Sequence, residues 1–190
     1  MNGPLIFAFG SLMWRPEVDV RARHVALLRG WHRAYCMMST KGRGSEAQPG
    51  VMLGLLPGGE TWGYALELDP ADGDALARMD EREGEGRANR RVMLPIALGD
   101  SAQQASPRAP FRHAWVYVPC VSFNNYVGRL PHARLVELIA TGVGERGSSL
   151  DYLQCMVRCL TQMGHEEAAC THLLAEAEAL AAPGAVRTPA

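Results

Sequence analysis

The apolar residues of this chain change their spacing once, near Pro131. Before that point they come in short runs broken by Gly- and Pro-containing stretches. After it they recur three and four apart. Strands therefore fill the first two thirds and helices the last third. The helical part reads as one helix around Leu135, Leu138 and Ile139, and a second capped by Ser148 or Ser149. The second carries a stripe of Leu150, Leu153, Met156, Val157 and Leu160, and a third helix covers residues 166–181. Strands are expected over residues 5–9, 25–40 (bent at Gly30), 51–56, 61–68, 91–98 and 111–119, with Trp115 and Tyr117 on one face of the last. Residues 16–24 are ambiguous. Pro57-Gly58-Gly59-Glu60 reads as a hairpin turn, and Asp69-Pro70 as the opening of a helix that runs into Asp80-Glu81-Arg82-Glu83. Hairpin connections, not βαβ crossovers, argue against a nucleotide-binding Rossmann unit. The fold class is α+β: a curved, barrel-like antiparallel sheet flanked by helices. One domain over residues 1–182 is expected, with a polar connector at 99–110 and a frayed tail at 183–190.

Composition removes several classes of function. A chain of 190 residues can bury a sizeable core, and its net charge of −1 offers no basic surface for nucleic acid. No apolar stretch is long enough to cross a bilayer, and no secretion signal is visible. The five cysteines (Cys36, Cys120, Cys155, Cys159 and Cys170) are odd in number and irregular in spacing, which is a poor disulfide framework. Free thiols fit a reducing cytoplasm. Cys155 and Cys159 share a helix face, yet His165 and His172 do not follow at zinc-site spacing. The histidines have no mutual spacing of a ligand set.

Three places could carry chemistry. The run Leu5 to Phe9 breaks at Gly10-Ser11, so a buried strand ends in a tight turn whose consecutive N–H groups suit a carboxylate or an oxyanion. It is neither a phosphate loop nor a nucleophile elbow. The second place is the cluster Asp80, Glu81, Glu83 and Glu85, where a helix ends. Carboxylates there oppose the helix dipole. Held near apolar walls, one of them would be basic enough to move a proton near neutral pH. Read by itself, the cluster is better explained as a solvated helix end balanced by Arg78, Arg82, Arg87 and Arg90. The third is Tyr126, in a turn-rich loop after a strand, where a packing role is the commoner one.

The ordered segments Phe9-Gly10-Ser11-Leu12-Met13-Trp14, Ser39-Thr40 with Gly42-Arg43-Gly44, Pro49-Gly50, Trp62-Gly63-Tyr64-Ala65, Met79-Asp80 with Arg82-Glu83, Tyr126 with Gly128, and Asp151-Tyr152-Leu153 together resemble the ChaC-like γ-glutamylcyclotransferases. The match runs from about Leu5 to the helix bearing Asp151. The resemblance implies a small mixed or antiparallel barrel with surrounding helices. It also implies release of 5-oxoproline and cysteinylglycine from glutathione without a cofactor. The family's general acid/base glutamate falls on Glu83. Its substrate-holding turn falls on Phe9, Gly10, Ser11 and Leu12, with Tyr126 as a further hydrogen-bonding contact. Arg43 and Arg82 are weaker candidates for pairing with the glycyl carboxylate. Two positions depart from the family pattern. Phe9 stands where a tyrosine is usual, and Arg87 where an aromatic follows the glutamate. They keep two alternatives open: a cyclotransferase for other γ-glutamyl amines or amino acids, and a non-catalytic γ-glutamyl-binding module. Nothing in the sequence fixes an oligomeric state.

Overall fold

The computed structural model describes residues 3–99 and 111–182. The tail at 183–190, and the expected 99–110 connector except for Gly99, lie outside the described residues. Five strands close a barrel: β1 (Leu5–Ala8), β2 (Val20–Ser39), β3 (Gly50–Leu68), β4 (Asn89–Gly99) and β5 (Phe111–Pro119). Their spatial order is β1-β3-β2-β4-β5. Neighbours run antiparallel, except at the seam, where β1 meets β5 in parallel at Ile6 and Trp115. Alternation along each strand separates two apolar layers. Leu5, Phe7, Ala26, Leu28, Leu55, Ala65, Ile96, Ala114, Val116 and Val118 come from all five strands and fill the barrel. Ile6, Ala8, Leu66, Leu68 and Tyr117 point the other way and pack with the helices.

One ambiguity about the strands is resolved and one expectation needs correcting. Residues 16–24 are not helical in any part, and from Val20 onward they belong to β2. Pro57-Gly58-Gly59-Glu60 is not a hairpin turn. It lies within the single 19-residue strand β3, with Arg29 opposite Glu60 and Trp31 opposite Pro57. The register slips there, and Gly30, Gly58 and Gly59 all have positive φ (79°, 98° and 71°). Both long strands thus bend together at a bulge, which lets a two-strand ribbon wrap around a barrel. Turn and bulge call for the same residues, so local composition does not separate them.

The helix opened by Asp69-Pro70 also starts later than expected. Helix α1 spans Ala75–Glu83, and residues 69–74 form turns in which Asp72 accepts from Arg78. Helices α2 (His132–Thr141), α3 (Ser149–Gln162) and α4 (Ala168–Ala181) follow, with the two-residue strands β6 (Val143–Gly144) and β7 (Gly147–Ser148) between the first two. Of the two candidate caps for α3, Ser148 is the cap. Its hydroxyl accepts from the Asp151 amide at 2.9 Å, and the Asp151 carboxylate accepts from the Ser148 amide at 3.2 Å. Ser149 has a different task. Fully buried, its hydroxyl accepts from the Val51 amide at 3.1 Å and donates to the Arg43 carbonyl at 3.0 Å, fixing α3 to the start of β3.

Candidate active site

β1 ends at Ala8, and the chain turns at Gly10 into one 3-10 turn over Ser11–Met13, closed by the Met13 amide donating to the Gly10 carbonyl at 2.8 Å. Glycine is required at 10 because of a close approach. A Cβ there would stand 2.7 Å from the hydroxyl of Tyr152, a residue of α3. Leu12 and Met13 drive the turn inward, both buried in the layer under the helices, while Ser11 stays partly accessible.

The last turn of α1 sorts the carboxylates that the sequence leaves equivalent. Gly84 takes the left-handed conformation (φ 67°, ψ 44°). Its amide donates to the Glu81 carbonyl at 3.2 Å, and the Glu85 amide to the Asp80 carbonyl at 2.9 Å, a Schellman closure. Asp80 faces the barrel. It accepts from the Tyr117 hydroxyl at 2.6 Å and from Arg91 of β4. Glu85 accepts from the Arg91 amide, and Glu81 is exposed while also lining the cavity beside Glu83. Glu83 alone among them is hydrogen-bonded to Arg82 and through it connects to the 10–12 turn.

Arg82 makes that connection. Its guanidinium, 6 % exposed, donates to Glu83 Oε1, to the Arg15 carbonyl at 2.6 Å, to Glu17 Oε2 at 3.0 Å and to Ser11 Oγ at 3.4 Å. The Asn89 side-chain amide holds the Glu83 carbonyl at 2.6 Å. Glu83 keeps a fifth of its side-chain surface accessible and lines a cavity of about 320 Å³, together with Ser11, Leu53, Asn125, Arg146 and Tyr152. Burial raises the Glu83 carboxyl above the ordinary carboxylate value, and the Arg82 cation opposes the rise without cancelling it. Tyr152 is buried, its phenol pushed up to about 12 chiefly by burial and then by the Glu83 charge. The cavity thus holds a carboxylate able to take and return a proton, a phenol that stays protonated, and backbone groups at a strand end.

Of the residues singled out in the sequence, the structure brings Ser11, Glu81, Arg82, Glu83 and Arg87 to this cavity. Gly10 lies just beneath, against Tyr152. Phe9, Leu12 and Tyr126 do not line it. Phe9 packs against both apolar layers, with its carbonyl accepting from Arg33 at 3.3 Å. Tyr126 forms a bridge to Met37, and its neighbour Asn125 takes the wall position. Arg43 and Arg82 are both committed internally. Arg43 is buried, donates to the Ser148 carbonyl and lies 5.3 Å from the centre of the Tyr152 ring. Arg82 nevertheless lines the cavity, where Arg87 and Arg146 join it as further cations. Sequence reasoning assigned no role to Tyr152, Asn125 or Arg146. Only Tyr152 left a trace, as the centre of Asp151-Tyr152-Leu153.

All five cysteines are free thiols, and burial pushes Cys36 up to about 11 and Cys170 up to about 12. Among the described residues no three His, Cys, Asp or Glu side chains gather as metal ligands, and no helix is long and apolar enough to cross a membrane.

The model of the family described as ChaC-like protein matches residues 5–180. The glutathione-specific gamma-glutamylcyclotransferase of Escherichia coli K12 is 48 % identical over 68 residues, covering 35 % of this chain and 29 % of its own. Human glutathione-specific gamma-glutamylcyclotransferase 1 is 30 % identical over 153 residues, covering 78 % of this chain and 65 % of its own. The matches therefore span less than two thirds of the length of these two relatives. Among solved structures, a yeast gamma-glutamyl cyclotransferase specific to glutathione superposes with a TM-score of 0.83 over 94 % of this chain and 96 % of that one, at 19 % identity. At that identity the likeness is one of fold.

Proposed function

Because this chain belongs to the ChaC-like protein family, we propose that it is a γ-glutamylcyclotransferase that cleaves glutathione to 5-oxoproline and cysteinylglycine, carried by one domain over residues 1–182. The supporting observation is the placement of Glu83. Its burial-raised carboxyl shares one cavity with Ser11 of the turn that ends β1. The free thiols are in keeping with a reducing cytoplasm.

The chemistry asks little of the protein beyond folding and proton transfer. The substrate's α-amine attacks its own γ-carbonyl carbon, so the main task is to curl the γ-glutamyl arm into a near-attack shape. At neutral pH that amine is protonated. Glu83 takes the proton, the amine nitrogen bonds to the carbon, and Glu83 returns a proton to the leaving amide nitrogen as its bond to carbon breaks. In total the attacking nitrogen sheds two protons and the leaving nitrogen gains two, both relayed by Glu83. Gly10, Ser11 and Leu12 present the backbone of the turn to the γ-glutamyl end. Phe9 positions that turn through its carbonyl, and Tyr126 acts through the bridge that places Asn125. Arg87 and Arg146 supply positive charge for a carboxylate at the leaving end. A cation at 87, where the family carries an aromatic, favours a peptide leaving group with a free carboxylate over an uncharged amine.

Incubation of the purified protein with reduced glutathione, followed by detection of 5-oxoproline, tests the reading. Glu83→Gln keeps the shape and removes the base, and a loss of about 10²- to 10⁴-fold in rate is expected. Near wild-type turnover in that variant would remove Glu83 from the role.

A further inference from the structure

We infer that the phenol of Tyr152 donates the hydrogen bond that holds the oxyanion of the tetrahedral intermediate, with the Ser11 amide of the turn acting through it. The inference rests on the cyclisation proposed above and assigns one more residue to it.

The first ground is position. The Tyr152 hydroxyl lies directly over the turn, so close that a Cβ on Gly10 would stand 2.7 Å from it, and Tyr152 lines the same cavity as Glu83 and Ser11. A side-chain hydroxyl thus stands beside the turn at the same cavity. The second ground is hydrogen-bond accounting. A phenol has one hydrogen to give and two lone pairs to fill. The backbone N–H groups of Leu53 and Ser11 face the Tyr152 oxygen. With its acceptor side turned to two amides, the hydroxyl has only its hydrogen to offer the cavity. Donors on the oxygen also polarise the O–H bond and make it a stronger donor.

The third ground is rigidity. The Trp14 ring meets the Tyr152 ring edge-on at 5.2 Å, and the Tyr35 ring meets it at 6.5 Å. The Arg43 guanidinium lies 5.3 Å from the ring centre and is itself tied to the Ser148 carbonyl at 3.3 Å. A donor fixed before the substrate arrives costs no reorganisation when charge develops. Burial further keeps the phenol protonated throughout the neutral range. Tyr152 therefore keeps its proton through the reaction. When the amine bonds to the γ-carbon, the carbonyl π pair moves onto oxygen, and the phenol hydrogen bond shortens to meet it. When the leaving bond breaks, the pair returns and the hydrogen bond relaxes.

Tyr152→Phe removes the hydroxyl and keeps the ring. Expected is a fall in kcat on the order of 10²- to 10³-fold with KM changed only a few-fold, because the interaction strengthens in the transition state. A kcat close to wild type, or a loss confined to KM, overturns the inference. A fluorinated tyrosine at 152 restores a hydroxyl of lower pKa, guarding against a merely misfolded variant. It should recover most of the rate at neutral pH and bring the alkaline decline of kcat to lower pH than in wild type. A recovered rate with an unshifted alkaline limb overturns the inference as well. A wild-type protein that releases no 5-oxoproline overturns the cyclotransferase reading and this inference with it. An active wild type with an equally active Tyr152→Phe overturns the inference alone.

Discussion

Glu83 and Asp80 lie three residues apart in one acidic run, and they differ in what faces them. Asp80 is held by Tyr117 and Arg91, which satisfies it as a structural acceptor. Glu83 is paired with Arg82 and otherwise faces a cavity. Two opposing influences set its basicity: burial lifts its pKa, and the Arg82 cation lowers it. The sign follows for the pH profile. Glu83 must be ionised to accept a proton, so the acid limb of kcat should lie above the ordinary carboxylate range. Arg82→Gln removes the lowering charge, so that limb should move to still higher pH, read from kcat against pH for the two proteins. An unmoved limb would mean that the group titrating in the rate is not Glu83. This sorting was only half legible in the sequence. The pattern shows four carboxylates and several arginines near a helix end. Which carboxylate pairs with Arg82 at the cavity depends on rotation about α1 and on partners as distant in sequence as Ser11 and Tyr117.

At the level of elements, the site depends on how α1 stops. Glu83 is the last residue of the helix, and Gly84, at φ 67°, turns the chain away so that the Glu85 and Gly84 amides close back on Asp80 and Glu81. Gly84→Ala forces a side chain into the left-handed region. It should cost about 1–2 kcal/mol in urea denaturation. The same change should lower kcat, since the closure that orients Glu83 is the one strained. Unchanged stability would show that this helix end tolerates another backbone path. The helical third was read nearly as built, because apolar spacing and a capping serine are local signals. The long strands were not. In β2 and β3 the glycines at 30, 58 and 59 interrupt the pattern where the ribbon bends. A bend in mid-strand and a turn between strands leave the same residues behind, and only the cross-strand register distinguishes them.

Across the whole molecule, the barrel and the helical third meet at a partly buried ion pair that also steadies the end of β1. Arg33 of β2, with its side chain 3 % exposed, donates to Glu167 at the start of α4, to the Trp62 carbonyl and to the Phe9 carbonyl. Glu167 occupies the N-cap position of α4 without a side-chain capping hydrogen bond, and its charge suits the helix dipole there. This contact explains how the turn tolerates Phe9. What Arg33 holds is the backbone carbonyl at position 9, which any side chain leaves in place. Glu167→Ala leaves the largely buried Arg33 cation without its anion. It should destabilise the protein by about 1.5–3 kcal/mol, the loss of a charge-assisted hydrogen bond. The double variant Arg33→Met with Glu167→Leu should recover much of that, because an apolar pair of similar volume carries no buried charge. Neither residue lines the Glu83 cavity. In Glu167→Ala, Arg33 still holds the Phe9 carbonyl, so the folded fraction should keep a near wild-type kcat, measured well below its melting temperature. A collapse of kcat with stability intact would instead make α4 part of the catalytic machinery, and the turn at Gly10 would then depend on the far side of the barrel for its shape.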